Sequence, residues 1–122
     1  MTKPAPATRR RVTLLVALGI LLGLSAAAPC ASAQEATTVK LTIKDHKFQP
    51  AEPHAPAGKP ITLQVTNLDT TPAEFESKTL RVEKVVAGNS TITIQVRALA
   101  AGRYRFFDDY HEDTTEGFLV VQ

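Results

Sequence analysis

The sequence predicts a small all-β sandwich of about seven short strands, and three observations lead to this prediction. After residue 38 apolar and polar residues alternate with a period of two, as in strands that bury one face. Turn residues recur between the alternating stretches, and no stretch of useful length has the period of a helix. Short strands with this spacing are typical of small antiparallel sandwiches and barrels.

Each strand is predicted from one alternating stretch. The first runs from Val39 to Lys44, and the proline-rich segment 48–60 that follows indicates an edge strand or a loop, because proline has no N–H for a sheet ladder. The later stretches end at turn residues such as Asn67–Asp69 and Gly88–Asn89. The remaining predicted strands are 61–65, 74–76, 82–86, 91–96, 104–107 and 118–121.

Residues 1–33 have the three parts of a secretory signal peptide. Basic residues without any acidic one precede an apolar run over 12–28, and Ala31–Ala33 offers the small side chains that a signal peptidase reads. We therefore predict cleavage before Gln34 and a periplasmic protein. The arginine triplet at 9–11 leaves the general and the twin-arginine export routes open, and a retained membrane anchor is the alternative to cleavage.

The remaining chain, residues 34–122, is predicted to form one domain whose composition excludes several functions. The leader carries four of the 14 basic residues and no acidic one, so ten basic residues face 12 acidic ones in the domain. A slightly acidic chain lacks the excess of basic residues that nucleic-acid binding requires. No membrane insertion is expected after cleavage of the leader. The only cysteine, Cys30, belongs to the leader, so the domain has no thiolate for a disulfide, a nucleophile or a metal. Common hydrolase and nucleotide-binding motifs are absent, and enzymatic activity stays open.

Acidic residues concentrate in the middle of the chain and in the connection between the last two predicted strands, where one histidine lies among them. Carboxylates at this density repel one another unless solvent, a cation or a basic partner relieves them. Carboxylates together with an imidazole suit iron, or copper in its oxidised state. The candidate metal ligands are Glu74, Glu76, Glu83, Asp109 and His111.

Each candidate also has a plain structural interpretation. An acidic connection is usually a solvated loop, and a lone histidine is more often structural than a ligand. Glu74 and Glu76 flank Phe75, so they would share the exposed face of a strand above a buried ring. Glu83 would form a surface ion pair with Lys84, which follows it in the sequence. The other two histidines, His46 and His54, are predicted to be solvent-exposed rings.

The order of several short motifs resembles that of the cupredoxin fold, a single Greek-key β-sandwich, over essentially all of residues 34–122. The motifs are Phe48-Gln49-Pro50, Ala57-Gly58-Lys59-Pro60-Ile61, Asn67-Leu68-Asp69, Gly102-Arg103-Tyr104-Arg105-Phe106 and a histidine before a closing Gly-Phe-Leu-Val-Val strand.

A second set of motifs resembles the EfeO-type cupredoxin-like proteins of bacterial ferrous-iron uptake. The resemblance implies a periplasmic protein that works beside an inner-membrane iron permease or associated periplasmic proteins. It also implies Glu76, Glu83 and His111 as first-choice metal ligands, with Asp109 and Glu74 next. The motifs are Glu74-Phe75-Glu76-Ser77, Leu80, Glu83-Lys84-Val85 and Tyr110-His111-Glu112.

The match to blue-copper proteins fails at the residues that bind their copper. The position of the cysteine falls on Asp108, Ala73 stands at about the place of the first histidine, and no methionine follows the leader. A blue site needs a thiolate, so the expected cofactor is a copper or iron ion in a different kind of site. The expected function is a metal-binding module of iron uptake, in ferrous-iron oxidation or metal delivery. The alternatives are a copper-dependent ferroxidase and a metal-free adaptor that docks to a membrane partner.

Overall fold

The computed structural model describes residues 2–6, 27–29 and 34–122, and within these residues nine strands and one 3₁₀ helix are present. The alternation of apolar and polar residues accounts for the longer strands, which bury every second side chain. The elements are β1 (Thr37–Lys44), β2 (Lys47–Gln49), β3 (His54–Ala55), β4 (Ile61–Asn67), β5 (Ala73–Ser77), β6 (Val82–Val86), β7 (Ser90–Val96), β8 (Gly102–Asp108), the 3₁₀ helix (Asp109–His111) and β9 (Glu116–Val121).

The strands form two sheets, with the orders β2-β1-β4-β7 and β3-β9-β8-β5-β6. The predicted sandwich and its seven strands are confirmed, and the proline-rich segment adds the two short edge strands β2 and β3. The strand spacing is typical of antiparallel sandwiches, whereas both sheets are mixed, because β1 pairs with β4 and β3 pairs with β9 in parallel. The proline-rich segment carries the chain back to the start of β1, so Ile61 lies opposite Thr37 and β4 runs in the same direction.

The core lies between the two sheets and consists of the inward-facing apolar side chains of both. Three phenylalanines lock the sheets together at one end. Phe48 of β2 contacts Phe106 of β8 and Phe75 of β5 edge-to-face, with ring centroids 4.8 and 6.0 Å apart, and the latter two rings stack at 5.4 Å. Aromatic contacts of this kind add about 0.5–1.5 kcal/mol each beyond the burial of their area. They fix the β1–β2 hairpin against β5 and β8, and the candidate site lies beside them.

The predicted leader, residues 1–33, lies mostly outside the described residues, so its cleavage before Gln34 stays a prediction. Among the described residues, no helix combines the length and the apolar character that a membrane crossing requires.

Candidate metal centre

A two-residue turn presents His46 at one end of the sandwich. Asp45 and His46 join β1 to β2, with Lys44 and Lys47 paired on either side of them. Both turn residues have a positive φ, 51° and 54°, as a type I′ hairpin turn requires. The four-stranded sheet therefore contributes one imidazole to this end of the molecule.

The five-stranded sheet contributes a buried carboxylate. Asp108, the last residue of β8, is only 1% exposed. Its Oδ1 accepts the N–H groups of Glu74 at 2.8 Å and Tyr110 at 3.1 Å, and its Oδ2 lies 3.0 Å from Nδ1 of His111. Hydrogen bonds from two backbone donors hold the carboxylate in one orientation.

His111 ends the 3₁₀ helix that follows Asp108, and its ring lies against that of His46. The two ring centroids are 4.0 Å apart with an interplanar angle of 33°. The His111 carbonyl accepts the N–H groups of Thr114 and Thr115, and the Thr115 hydroxyl donates to the carbonyl of His46. Thr115 is fully buried, so this bridge ties the two histidine-bearing segments together.

His46, Asp108 and His111 offer ligand atoms that all lie within 4.8 Å of one another, and no second group of three ligands this close exists in the described part of the chain. Two atoms that each bind one ion at about 2.1 Å are about 3.0–3.4 Å apart, so the ligand atoms need to approach one another more closely to share an ion. The His46 side chain is 44% exposed, which leaves it room to move. Two imidazole nitrogens and one carboxylate oxygen fit a divalent transition-metal ion. We call these three residues the histidine–aspartate cluster.

Asp69, in the connection between β4 and β5, supports the turn that carries His46. Its two carboxylate oxygens accept the N–H groups of Asp45 at 2.8 Å and His46 at 2.9 Å. The N–H of His46 is the main cause that lowers the pKa of the Asp69 carboxyl, and the nearby imidazoles of His46 and His111 lower it further. Asp69 is therefore a stable negative charge beside the histidine–aspartate cluster.

The other predicted ligands lie on the outer face of the five-stranded sheet. Glu76 on β5 lies directly opposite Glu83 on the edge strand β6. Glu74 shares this face, and Phe75 between the two β5 glutamates is fully buried, as the alternation predicts. Asp109 adjoins from the 3₁₀ helix, where its charge acts on both β5 glutamates. We call Glu74, Glu76, Glu83 and Asp109 the carboxylate ridge.

Crowding changes the protonation of the carboxylate ridge. Partial burial raises the pKa of Glu74, and the Glu83 carboxyl raises it further. Partial burial also raises the pKa of Glu76, followed by the charges of Asp109 and Glu83. Desolvation raises the pKa of the Tyr110 phenol, next to Glu74. Like charges therefore work against one another along the carboxylate ridge.

A basic partner relieves other acidic residues of the last connection. Arg105 donates to Glu116 at 2.7 Å and to Glu112 at 3.3 Å, and its guanidinium lies 4.5 Å from the centre of the Phe107 ring. These ion pairs raise the pKa of Arg105. Glu112 and Glu116 thus form an ordinary surface network around one arginine.

The structure divides the five predicted ligands between two places. His111 belongs to the histidine–aspartate cluster, whereas the four carboxylates belong to the ridge and are not part of that close group. Ion binding by the ridge stays a prediction. An open depression of about 200 Å³ adjoins the ridge, lined by Glu76, Ser77, Lys78, Arg81, Val82 and Glu83.

Sequence reasoning missed two members of the histidine–aspartate cluster. His54 is exposed, as predicted, but His46 contacts His111 and is not a solitary solvated ring. The available signal for His46 was the pair Asp45-His46 between two alternating stretches, which is the length of a tight hairpin turn. Asp108 was noted as one of the acidic residues of the last connection and as the residue in place of a cysteine, but not as a ligand, and its burial gave no signal in the local pattern.

The fold and the sequence together define the class of protein. The chain belongs to the cupredoxin-like domain family, whose model matches residues 14–121. It is 45% identical over 83 residues to an uncharacterized protein of Rickettsia prowazekii (strain Madrid E). The match covers 68% of this chain and 66% of the relative, just under two thirds of the relative's length.

Solved structures share the fold at low sequence identity. Auracyanin A, a "blue" copper protein of Chloroflexus aurantiacus, is 17% identical with a TM-score of 0.62, over 72% of this chain and 100% of auracyanin. The metal-binding domain of the Cu(I)-exporting P-type ATPase CopA of Streptococcus pneumoniae D39 is 13% identical with a TM-score of 0.60, over 70% and 84% of the two chains. At these identities the likeness shows the fold alone.

Proposed function

We propose that this protein is a thiolate-free metal-binding module that binds a divalent transition-metal ion at the histidine–aspartate cluster. The observation that carries the proposal is the close approach of the ligand atoms of His46, Asp108 and His111. These residues come from both sheets, and hydrogen bonds hold Asp108 and the main chain of both histidines in place. Metal sites need such support to fix the orientation of their ligands.

Copper(II) is the ion that the donor set favours most. Affinity for nitrogen and oxygen donors rises along the divalent series to copper and falls again at zinc. Residues 34–122 contain no cysteine, so the copper-loaded protein would lack the intense band that a thiolate gives. A strong blue colour would contradict the proposed ligands.

Ferrous iron is the second candidate, because two histidines and one carboxylate form the ligand set of non-haem iron(II) sites. It agrees with the resemblance to ferrous-iron uptake proteins. On this proposal the protein works in the periplasm beside an inner-membrane iron permease, in iron oxidation or metal delivery. Turnover of iron(II) in the presence of copper would instead support a ferroxidase, and absence of metal binding would support a metal-free adaptor.

Calorimetric titration of the purified protein with copper(II), iron(II) and manganese(II) tests the site. We expect binding of one ion, and we expect His46→Ala and His111→Ala each to weaken it at least tenfold, about 1.4 kcal/mol. His54→Ala is the matched control, because His54 is exposed and outside the histidine–aspartate cluster. Equal affinities for the wild type and both cluster variants would place the site elsewhere.

Mass spectrometry of the exported protein tests the proposed compartment. We expect an N-terminus at Gln34. Retention of Cys30, free or lipidated, would contradict both the periplasmic proposal and the absence of a thiolate.

A further inference from the structure

Asp69 bridges two connections that are distant in sequence. It lies in the β4–β5 connection, 23 residues from His46, yet its carboxylate accepts the N–H groups of both residues of the Asp45–His46 turn. Neither turn residue is a glycine, although both adopt a positive φ. Such a backbone is unfavourable for residues with a side chain, less so for Asp, and it persists only where the surroundings hold it.

Hydrogen bonds to neighbouring residues also hold the Asp69 backbone in place. Its N–H donates to Oδ1 of Asn67 at 3.0 Å, and its carbonyl accepts the N–H of Asn89 at 2.9 Å. Asn67 is fully buried, and its Nδ2 donates to the carbonyls of Thr71 and Val86. These hydrogen bonds fix the position of the Asp69 carboxylate, and the Asp45–His46 turn is held by its hydrogen bonds to that carboxylate.

The Asp69 carboxylate also lies close to the imidazoles. Its Oδ2 is 3.8 Å from Nδ1 of His46, and its side chain is only 15% exposed. Asp108 provides a second buried carboxylate beside His111. An imidazole that binds a metal is neutral, so in the metal-bound state the carboxylates of Asp69 and Asp108 supply a charge of about −2, which balances a divalent ion and overcompensates a monovalent one.

We propose that Asp69 is the positioning residue of His46 and a determinant of charge selectivity, so that the histidine–aspartate cluster prefers divalent to monovalent ions. This inference rests on the proposed function. Asp69 acts on the ion through the turn and through its charge, and it is not a member of the ligand set.

The test compares the wild type with Asp69→Asn and with Asp45→Asn. Asp45→Asn is the matched control, because it removes one charge from the same turn and asparagine tolerates a positive φ. The probes are copper(II) and silver(I), a soft monovalent ion that keeps its oxidation state. We expect Asp69→Asn to weaken copper(II) binding by about 10–100-fold, the usual loss when a supporting partner is removed. Silver(I) affinity should fall clearly less than copper(II) affinity, because both ions lose the positioning of His46 but the monovalent ion loses less electrostatic attraction. Asp45→Asn should leave the ratio of the two affinities near that of the wild type.

A second measurement does not depend on metal. Hydrogen exchange of the Asp45 and His46 amide protons should be slow in the wild type and at least tenfold faster in Asp69→Ala, with the thermal midpoint followed in parallel. Unchanged exchange would overturn the positioning role. An equal loss of copper(II) and silver(I) in Asp69→Asn, or no loss, would overturn the selectivity. Failure of the wild type to bind any ion would instead refute the proposed function, and the exchange result would still decide on positioning.

Discussion

The histidine–aspartate cluster and the carboxylate ridge lie on either side of the same 3₁₀ helix, yet they are built in opposite ways. In the cluster, Asp108 is buried and its Oδ1 accepts two backbone N–H groups. In the ridge, Glu76 and Glu83 are opposite neighbours on the edge of a sheet, and their charges oppose one another. The 3₁₀ helix contributes His111 to the first region and Asp109 to the second.

This difference shows that density of acidic residues and readiness to bind a metal are separate properties. A ligand that is already oriented loses little conformational entropy on binding, whereas exposed carboxylates lose more because they must be ordered first. The ridge has the stronger electrostatic attraction for a cation, but salt and water screen it. The histidine–aspartate cluster has fewer charges, but its ligand atoms lie closer together.

Asp108 should give the largest effect. Asp108→Ala leaves the N–H groups of Glu74 and Tyr110 without an acceptor, so we expect the free energy of unfolding to fall by about 3 kcal/mol. Asp108→Asn keeps an acceptor and should lose about 1 kcal/mol. Both variants should bind copper(II) at least 100-fold more weakly, about 2.8 kcal/mol. Urea denaturation and calorimetric titration measure the two effects.

Asp113→Ala provides the control for this comparison, since Asp113 is an exposed acidic residue in the same connection. Its stability should stay within about 0.5 kcal/mol of the wild type, with copper(II) affinity unchanged. If Asp108→Asn binds copper(II) as tightly as the wild type, the histidine–aspartate cluster is not the copper site.

Gly88→Ala tests the support behind the cluster. A Cβ at Gly88 would lie 2.1 Å from the carbonyl oxygen of Thr70, in the connection that carries Asp69. We expect a loss of about 2 kcal/mol in stability and weaker copper(II) binding, because the connection must shift. At Gly102 a Cβ would meet its nearest neighbour at 3.6 Å, so Gly102→Ala should change neither quantity. Stability loss without any loss of affinity in Gly88→Ala would mean that the cluster is independent of this connection.

The fold was predictable because its signal is local. Alternation within stretches such as 61–65 and 91–96 reports which side chains face the core, without information from the rest of the chain. Parallel pairing of β1 with β4 was not predicted, because the path of the proline-rich segment between them depends on tertiary contacts. The segment that contains the short strands β2 and β3 was predicted only as an edge strand or a loop, because the pairing of these strands also depends on tertiary contacts.

The site was only partly predictable, because its contacts join residues that are far apart in sequence. His111 was identified from the acidic connection around it, in which Asp108 belongs to the same cluster and Asp109 to the carboxylate ridge. His46 became part of the cluster through a turn that Asp69 holds from 23 residues away. Burial of Asp108 depends on how β8 pairs with β5, where Asp108 lies opposite Phe75. No local pattern carries this information.

Removal of charge from the ridge should have little effect on metal binding. Glu76→Gln and Glu83→Gln keep the side-chain shape and leave the histidine–aspartate cluster intact. We therefore expect copper(II) affinity within about twofold of the wild type, because exposed charges outside the ligand set are strongly screened. Calorimetric titration at low and high salt measures this. A loss of tenfold or more at both salt concentrations would show that the ridge carboxylates bind the ion, as the resemblance to iron-uptake proteins implies.

The smallest expected effect is the pH dependence of apo stability in Glu76→Gln. The folded protein raises the pKa of Glu76 above the ordinary value of 4.5, first through desolvation and then through the charges of Asp109 and Glu83. The folded state therefore binds the Glu76 proton more tightly than the unfolded state, and the stability of the wild type falls as pH rises from below 4.5 through the raised pKa.

Removal of the Glu76 carboxyl should raise the thermal midpoint slightly at neutral pH. The difference from the wild type should shrink as pH falls through the raised pKa, and about 1 M salt should reduce it at neutral pH. A Glu76→Gln variant that is less stable than the wild type at neutral pH would mean that the attraction between Glu76 and Lys78 outweighs the repulsion within the ridge.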